Sequence, residues 1–256
     1  MDKKIGFIGC GNMGKAILGG LIASGQVQPG QIWVYTPSPD KVAALRDQYG
    51  INAASSAQEV AQIADIVFGA VKPGIMTKVL GDIASSLNKE SLVVSIAAGV
   101  TLEQLARALG HDRKIIRAMP NTPSLVNAGM TSVTPNALVS SEDVAEVLTI
   151  FRCFGQAEQI AEPMIHPVVG VSGSAPAYVF MFIEAMADAA VLGGIGSVTG
   201  AVLGGFILGF TEVVAVAIFP ELGGYKDAFA FLFLILVLLF RPVGIMGDER
   251  LERSRF

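Results

Sequence analysis

Residues 4–17 are KIGFIGCGNMGKAI, an apolar run that breaks on glycines and resumes with helical spacing. Ile5, Phe7 and Ile8 make a short apolar segment of the kind buried on both faces of a parallel sheet. Met13, Ile17, Leu18, Leu21 and Ile22 then recur with the period of a helix. A strand therefore passes straight into a helix through Gly9-Cys10-Gly11-Asn12-Met13-Gly14. This hexapeptide fits GxGxxG. Its first glycine permits a tight turn, its second lets a pyrophosphate approach the backbone, and its third lets helix pack closely on strand. The first N–H groups of that helix lack partners and lie at its positive dipole end, which suits phosphate. Gly9, Gly11, Asn12, Met13 and Gly14 are the first candidate cofactor-binding residues. A tight βα turn without a ligand remains the alternative.

Outward from this stretch the alternation repeats. QIWVY is followed by PDKVAALRDQYG, ADIVFGAV by PGIMTKVLGDIASSL, SLVVSIA by TLEQLARALG, and KIIRAM closes the series. Strands that are near-continuous apolar runs, separated by helical segments, imply a parallel sheet covered on both faces. The spacing predicts an α/β, doubly wound, Rossmann-type dinucleotide-binding domain over residues 1–160. Ligands of such sheets lie beyond the carboxyl ends of the strands. The second strand ends Val34-Tyr35-Thr36-Pro37-Ser38, with no acid before Asp40 to hold a ribose 2′-hydroxyl. Thr36 and Ser38 would instead admit and hydrogen-bond a 2′-phosphate, so the expected cofactor is NADPH. Lys41 and Arg46 lie nearby, and a solvated helix face explains them equally well.

Three further loops belong to the same edge. Ala70-Val71-Lys72-Pro73, Ala97-Ala98-Gly99 and Met119-Pro120-Asn121-Thr122-Pro123 would form a rigid wall for a nicotinamide ring, Asn121 offering amide hydrogen bonds. Lys72 is as readily a surface lysine. Cys10 reads as a small side chain in a small space rather than a nucleophile. The net charge of −4 gives no footprint for nucleic acid. Two cysteines are too few for a disulfide framework and fit a reducing compartment. His111 and His166 have no ligand spacing around them, so no metal site is expected. His111 falls in a solvated turn and His166 in a loop before Pro167. The glycines near the N-terminus interrupt the apolar run that an export signal needs.

GFIGCGNMGKAI, AVKP, SIAAGV, RAMPNTP and, later, GVSGSAPAYVF follow in order the pattern of a known family. Residues 1–194 resemble the pyrroline-5-carboxylate reductases. That resemblance implies hydride transfer from NADPH to the C=N bond of 1-pyrroline-5-carboxylate, giving L-proline in proline biosynthesis. It implies a homo-oligomer whose second, helical region opens at Gly173-Ser174-Ala175-Pro176-Ala177-Tyr178 and interlocks with a partner copy; residues 161–194 would be the start of that dimerisation domain. The family also carries a serine-proline-glycine-glycine-threonine-threonine stretch that binds the substrate carboxylate and furnishes the proton donor. No such stretch occurs in these 256 residues, so no catalytic residue is assigned.

Beyond Asp188 the composition changes. The mean hydropathy of +0.58 and the 16% of charged residues reflect this last quarter, against about 25% charged in ordinary soluble domains. Residues 195–219, IGSVTGAVLGGFILGFTEVVAVAIF, are long enough to cross a bilayer and carry one charge, Glu212. Gly200, Gly204, Gly205 and Gly209 permit close helix–helix approach. Pro220 and Gly223-Gly224 mark a turn, and residues 228–240, AFAFLFLILVLLF, are unbroken by any polar group. Continued through VGIMG, this second span reaches about 20 residues. Arg250, Arg253 and Arg255 then place the C-terminus, and with it residues 1–194, in the cytoplasm, with residues 195–256 in the inner membrane.

The tail segments GSVTGAVLGGFILGFTE and YKDAFAFLFLILVLLFRPVGIMG resemble the C-terminal end of a branched-chain amino acid ABC transporter permease. They correspond only to a last pair of spans, so transport is not implied. The expectation is a seam at Gly193-Gly194 between a cofactor-binding half and a permease-like apolar hairpin. Three alternatives stay open. The hairpin could be buried in a soluble dimer core, the chain could be an NADP-binding module on a membrane anchor or a non-functional fusion, or a related reductase could act on another substrate.

Overall fold

The apolar strand segments pair side by side and, with three more polar strands, β3, β7 and β8, make one eight-stranded sheet in the order β3-β2-β1-β4-β5-β6-β7-β8. This computed structural model describes residues 1–221 and 226–247. The strands are β1 (Ile5–Ile8), β2 (Ile32–Tyr35), β3 (Asn52–Ala53), β4 (Ile66–Gly69), β5 (Leu92–Ser95), β6 (Lys114–Pro120), β7 (Gly129–Pro135) and β8 (Gly155–Gln159). Helices α1 (Asn12–Ala23), α2 (Pro39–Tyr49), α3 (Ala57–Ile63), α4 (Pro73–Ile83), α5 (Leu102–Leu109) and α6 (Ser141–Arg152) connect them. The order reverses at β1, flanked by β2 and β4, which makes a topological switch point at the end of that strand. The fold is the Rossmann-type α/β sheet that the sequence predicts.

Pairing is parallel through β6. β7 then runs antiparallel to β6, and β8 parallel to β7. Alternate residues feed two cores, as burial on both faces requires. Ile5, Phe7, Phe68 and Val94 join one with α1 and α6, while Ile8, Val67, Val93 and Ile115 join the other with α3, α4 and α5. Phe7 stacks on Phe68 at 5.0 Å between ring centroids, and Phe151 meets Phe68 edge-on at 6.0 Å. Such pairs contribute about 0.5–1.5 kcal/mol beyond their burial.

The chain separates into two compact units, Met1–Pro176 and Ala177–Phe256. The last part of the first unit is a one-turn helix α7 (Ile165–Val168) and a π-helical turn (Val169–Gly173) leading into α8 (Ala175–Gly193). His166, expected in a loop, lies within α7, exposed on its surface.

The second unit contains α8, α9 (Val198–Ile218) and α10 (Lys226–Phe240). Small residues let α9 approach α8. A Cβ on Gly204 would strike the Ala189 carbonyl oxygen, and one on Gly200 would strike that of Gly193. Leu192, Leu208 and Leu234 form the small core of this unit. α10 stops at Phe240 rather than continuing through VGIMG. Arg241 N donates to Val237 O, and Pro242 has no N–H with which to carry the helix on. Its 15 residues span about 22 Å, short of a hydrocarbon core of about 30 Å. The chain turns back instead, and the N–H groups of Ile245 and Met246 bond the carbonyls of Leu192 and Gly193 at 2.9 and 2.8 Å. Gly223, Gly224, Arg250, Arg253 and Arg255 lie outside the described residues.

Candidate functional site

Gly9 leaves β1 with φ +81°, and a Cβ there would come within 2.6 Å of Val71 Cγ1 and 2.7 Å of Ala70 O. Both the dihedral and the space demand glycine. Its N–H donates to Tyr35 O at 2.8 Å, while Ala70 N donates to Ile8 O at 2.9 Å. The ends of β2, β1 and β4 are thereby laced together. Ile96 N donates to Gly69 O at 3.2 Å and adds the end of β5.

Gly11 is the N-cap of α1 and makes no side-chain cap hydrogen bond. Lys15 N is already bonded to Gly11 O, but the N–H groups of Asn12, Met13 and Gly14 precede the first intrahelical bond. No acidic side chain occupies that first turn. Nothing lies within 4 Å of where a Gly11 Cβ would stand. An exposed helix N-terminus with three free donors, open space and no competing carboxylate fits a dinucleotide pyrophosphate. Gly14 meets Ala70 Cβ and Cys10 Sγ, each at 3.4 Å from its ideal Cβ, which sets α1 tightly on the sheet. Met13 is half-buried against the core.

The other helices sharpen the contrast. Ser56, Thr101 and Ser140 cap α3, α5 and α6 by accepting the N–H of Glu59, Gln104 and Asp143. The starts of α1, α2 and α4, which follow β1, β2 and β4, have no side-chain cap. Uncapped donors thus gather beside the switch point.

Thr36 and Ser38 form the β2–α2 turn. Thr36 Oγ1 accepts from Ser38 N at 3.3 Å and donates to Ser38 O at 3.1 Å, fixing the turn that Ser38 ends as N-cap of α2. Thr36 also borders a cavity of about 490 Å³ with Arg46, whose guanidinium bonds Asp47 at 2.9 Å. Lys72, N-cap of α4, is exposed and has no ion-pair partner among the described residues. Val71 is half-buried beside Gly9, and Pro73 opens α4. In the β5–α5 loop Ala97 is buried, whereas Ala98 and Gly99 are exposed, Gly99 with φ +77°.

Asn121 is placed at the end of β6 as expected, but its amide is already engaged. Nδ2 donates to Ser172 O and Ser172 Oγ, both at 3.1 Å, and Oδ1 accepts Met130 N at 2.8 Å. The amide ties β6 to the start of β7 and to the π-helical turn rather than standing free for a ligand. Burial pushes the Cys10 thiol up to about 11, with Lys15 opposing weakly, so it is protonated at neutral pH and is no nucleophile. No metal-binding cluster occurs among the described residues.

A residue whose role was not legible in the sequence lies in RAMPNTP itself. Arg117 is buried in β6, and its Nη1 donates to Glu162 Oε1 at 3.0 Å. An arginine inside a continuous apolar strand was the available signal, since a buried guanidinium needs a carboxylate partner.

The geometry has close relatives. Residues 4–99 match the family described as NADP oxidoreductase, coenzyme F420-dependent, and residues 162–203 match the pyrroline-5-carboxylate reductase dimerisation family. The pyrroline-5-carboxylate reductase of Escherichia coli (strain K12) is 89% identical over 194 residues, which are 76% of this chain and 72% of that relative. A solved pyrroline-5-carboxylate reductase from Coxiella burnetii superposes with TM-score 0.72 and 34% identity, covering 85% of this chain and 81% of the other. The Plasmodium falciparum pyrroline carboxylate reductase, solved with NADP bound, gives TM-score 0.69 and 32% identity over 84% and 79%. With its uncapped glycine cradle and this identity over most of its length, the chain belongs to the pyrroline-5-carboxylate reductase family of NADP-dependent oxidoreductases.

Proposed function

We propose that the carboxyl edge of the sheet binds NADPH and that the chain is a reductase acting on the C=N bond of 1-pyrroline-5-carboxylate to give L-proline. The observation that carries the reading is the open space at Gly11 in front of three unpartnered N–H groups. In this reading residues 1–160 are the NADP-binding domain, residues 161–194 open the helical dimerisation region of a homo-oligomer, and residues 195–256 are a separate, permease-like apolar hairpin.

NADPH, when bound, supplies the hydride. The N–H groups of Asn12, Met13 and Gly14 hold its pyrophosphate, and Gly9 keeps the turn that aims them. Thr36 and Ser38 would take the 2′-phosphate without the repulsion an acid would bring, Ser38 by its hydroxyl and Thr36 by fixing the turn that presents it. Ala70, Val71, Lys72 and Pro73, with Ala97, Ala98, Gly99 and Asn121, would wall the nicotinamide side, Asn121 by shaping its loop. Substrate carboxylate binding and proton donation lack the serine-proline-glycine-glycine-threonine-threonine stretch that the resemblance assigns to them. Binding therefore follows from residues present, and turnover is the discriminating measurement. Titration of NADPH fluorescence and an NADPH-oxidation assay with pyrroline-5-carboxylate are the paired test. Saturable binding with proline formed supports the reductase. Binding without turnover leaves an NADP-binding module, and no binding overturns the site.

A second reading concerns the apolar hairpin, and one observation favours it. α9 has mean hydropathy 2.2 over a membrane-length window, and 11% of that window is buried. Val198, Phe206, Phe210 and Val213 are each more than two-thirds exposed, and at helical spacing they cover a broad face of α9. Contacts between small residues, as at Gly200 and Gly204, are those of bilayer helices. Lipid covers that surface in this reading, and the reductase half faces the cytoplasm. Recovery of the chain in the detergent-extractable membrane fraction supports it. A stable soluble oligomer sinks it and assigns the face to a second copy.

A further inference from the structure

The cofactor reading leaves one buried ionic device unused. Arg117 sits in mid-β6 with its side chain 7% exposed and is paired with Glu162. The same Glu162 Oε1 accepts the N–H of Leu102, the first residue of α5, at 2.8 Å. The Thr101–Gln104 capping box holds the neighbouring donors of that helix, Gln104 N at 3.2 Å and Thr101 N at 2.9 Å. Glu162 therefore adds a negative charge to the positive end of α5, where it stabilises the helix.

The position of this carboxylate matters because of what precedes Leu102. Residues 96–101 form the loop that carries Ala97, Ala98 and Gly99. At its start, Ser95 pairs in register with Arg117, and Ser95 Oγ accepts Ala97 N at 3.4 Å. At its end, Glu162 holds Leu102. The loop is anchored at both ends by partners of one buried guanidinium, one through strand pairing and the other through its carboxylate. Glu162 also opens the short turn Glu162–Met164 that leads toward α7.

We propose that the Arg117–Glu162 pair is a positioning device that sets the Ala97-Ala98-Gly99 loop against the nicotinamide half of the cofactor. Glu162 touches no reacting atom. It acts through Leu102 N–H and Arg117, and the proposal rests on the cofactor site argued above. A device of this kind affects one end of the ligand only. A purely structural ion pair would affect both ends alike, through the stability of the whole domain.

The test uses the full chain and two probes, NADPH and 2′,5′-ADP, which carries the phosphorylated adenosine half without nicotinamide. Glu162→Ala is expected to weaken NADPH about tenfold, the effect of one lost charge-assisted hydrogen bond, and to leave 2′,5′-ADP within about twofold. Glu162→Gln keeps an oxygen acceptor for Leu102 N–H and the Arg117 guanidinium, is expected to fold where alanine leaves both donors without a partner, and should weaken NADPH about threefold. Equal weakening of both probes, or unchanged NADPH affinity in both variants, overturns the positioning role. If the parent chain binds neither probe, the cofactor site itself fails. If it binds both and the variants do not discriminate, only this proposal fails.

Discussion

At the scale of single residues, two glycines of one loop do different jobs, and the difference is measurable. Gly9 has φ +81° and no room for a Cβ, so Gly9→Ala strains the turn and should cost about 2 kcal/mol or more as well as NADPH binding. Gly11 has φ −76° and faces open space, so alanine fits the folded chain. Gly11→Ala should leave the melting midpoint within a few degrees and weaken NADPH at least tenfold, because its methyl group would stand where the proposed site admits the pyrophosphate. Equal melting loss in both variants would contradict this division. Cys10 gives a pH signature. Burial holds its folded pKa at about 11, above the usual thiol range near 9. The native state therefore keeps a proton that the unfolded chain releases, and stability falls as pH rises from 9 toward 11. Denaturant unfolding should show a loss approaching about 3 kcal/mol across that window, absent in Cys10→Ala.

Among the elements, β1, β2, β4, β5 and β6 were legible because each is an apolar run bounded by turn residues. β7 and β8 were not. GMTSVTP and GQAEQ carry few apolar side chains, and they form strands because the sheet edge at β6 offers them partners. The direction of β7 is a tertiary outcome that no local pattern encodes. The glycine cradle was legible because its pattern is a backbone requirement. The occupation of Asn121 by Ser172 and Met130 was not, since both partners lie elsewhere in the chain. α10 ends sooner than its sequence predicts because hydropathy continues past the point where Pro242 ends the hydrogen-bond ladder. In the apolar hairpin, the backbone contact of α9 with α8 leaves no space at Gly204. Gly204→Leu should separate the two helices, seen as loss of a disulfide engineered between their small-residue faces, while Gly209→Leu, which meets nothing within 4 Å, should preserve it.

Across the whole molecule, two compact units with separate cores imply separate melting. Only the sheet unit carries the cofactor cradle. Calorimetry should resolve two transitions, and NADPH at about 100 times its Kd should raise one of them by the equivalent of about 2.7 kcal/mol and leave the other in place. A single transition that moves as one would show that the units unfold together. The composition break beyond Asp188 had already signalled two kinds of surface in one chain. It could not signal that α8 runs across that break and packs its Ala189 and Gly193 against α9.

The bonds from Ile245 and Met246 to the last carbonyls of α8 carry a consequence for biosynthesis. A ribosome delivers α8 about 50 residues before it delivers the donors that finish its end. The sheet unit closes on segments already made, so it is free to fold while synthesis continues. The helical unit has to wait with the end of α8 unsatisfied until Ile245 and Met246 have been made.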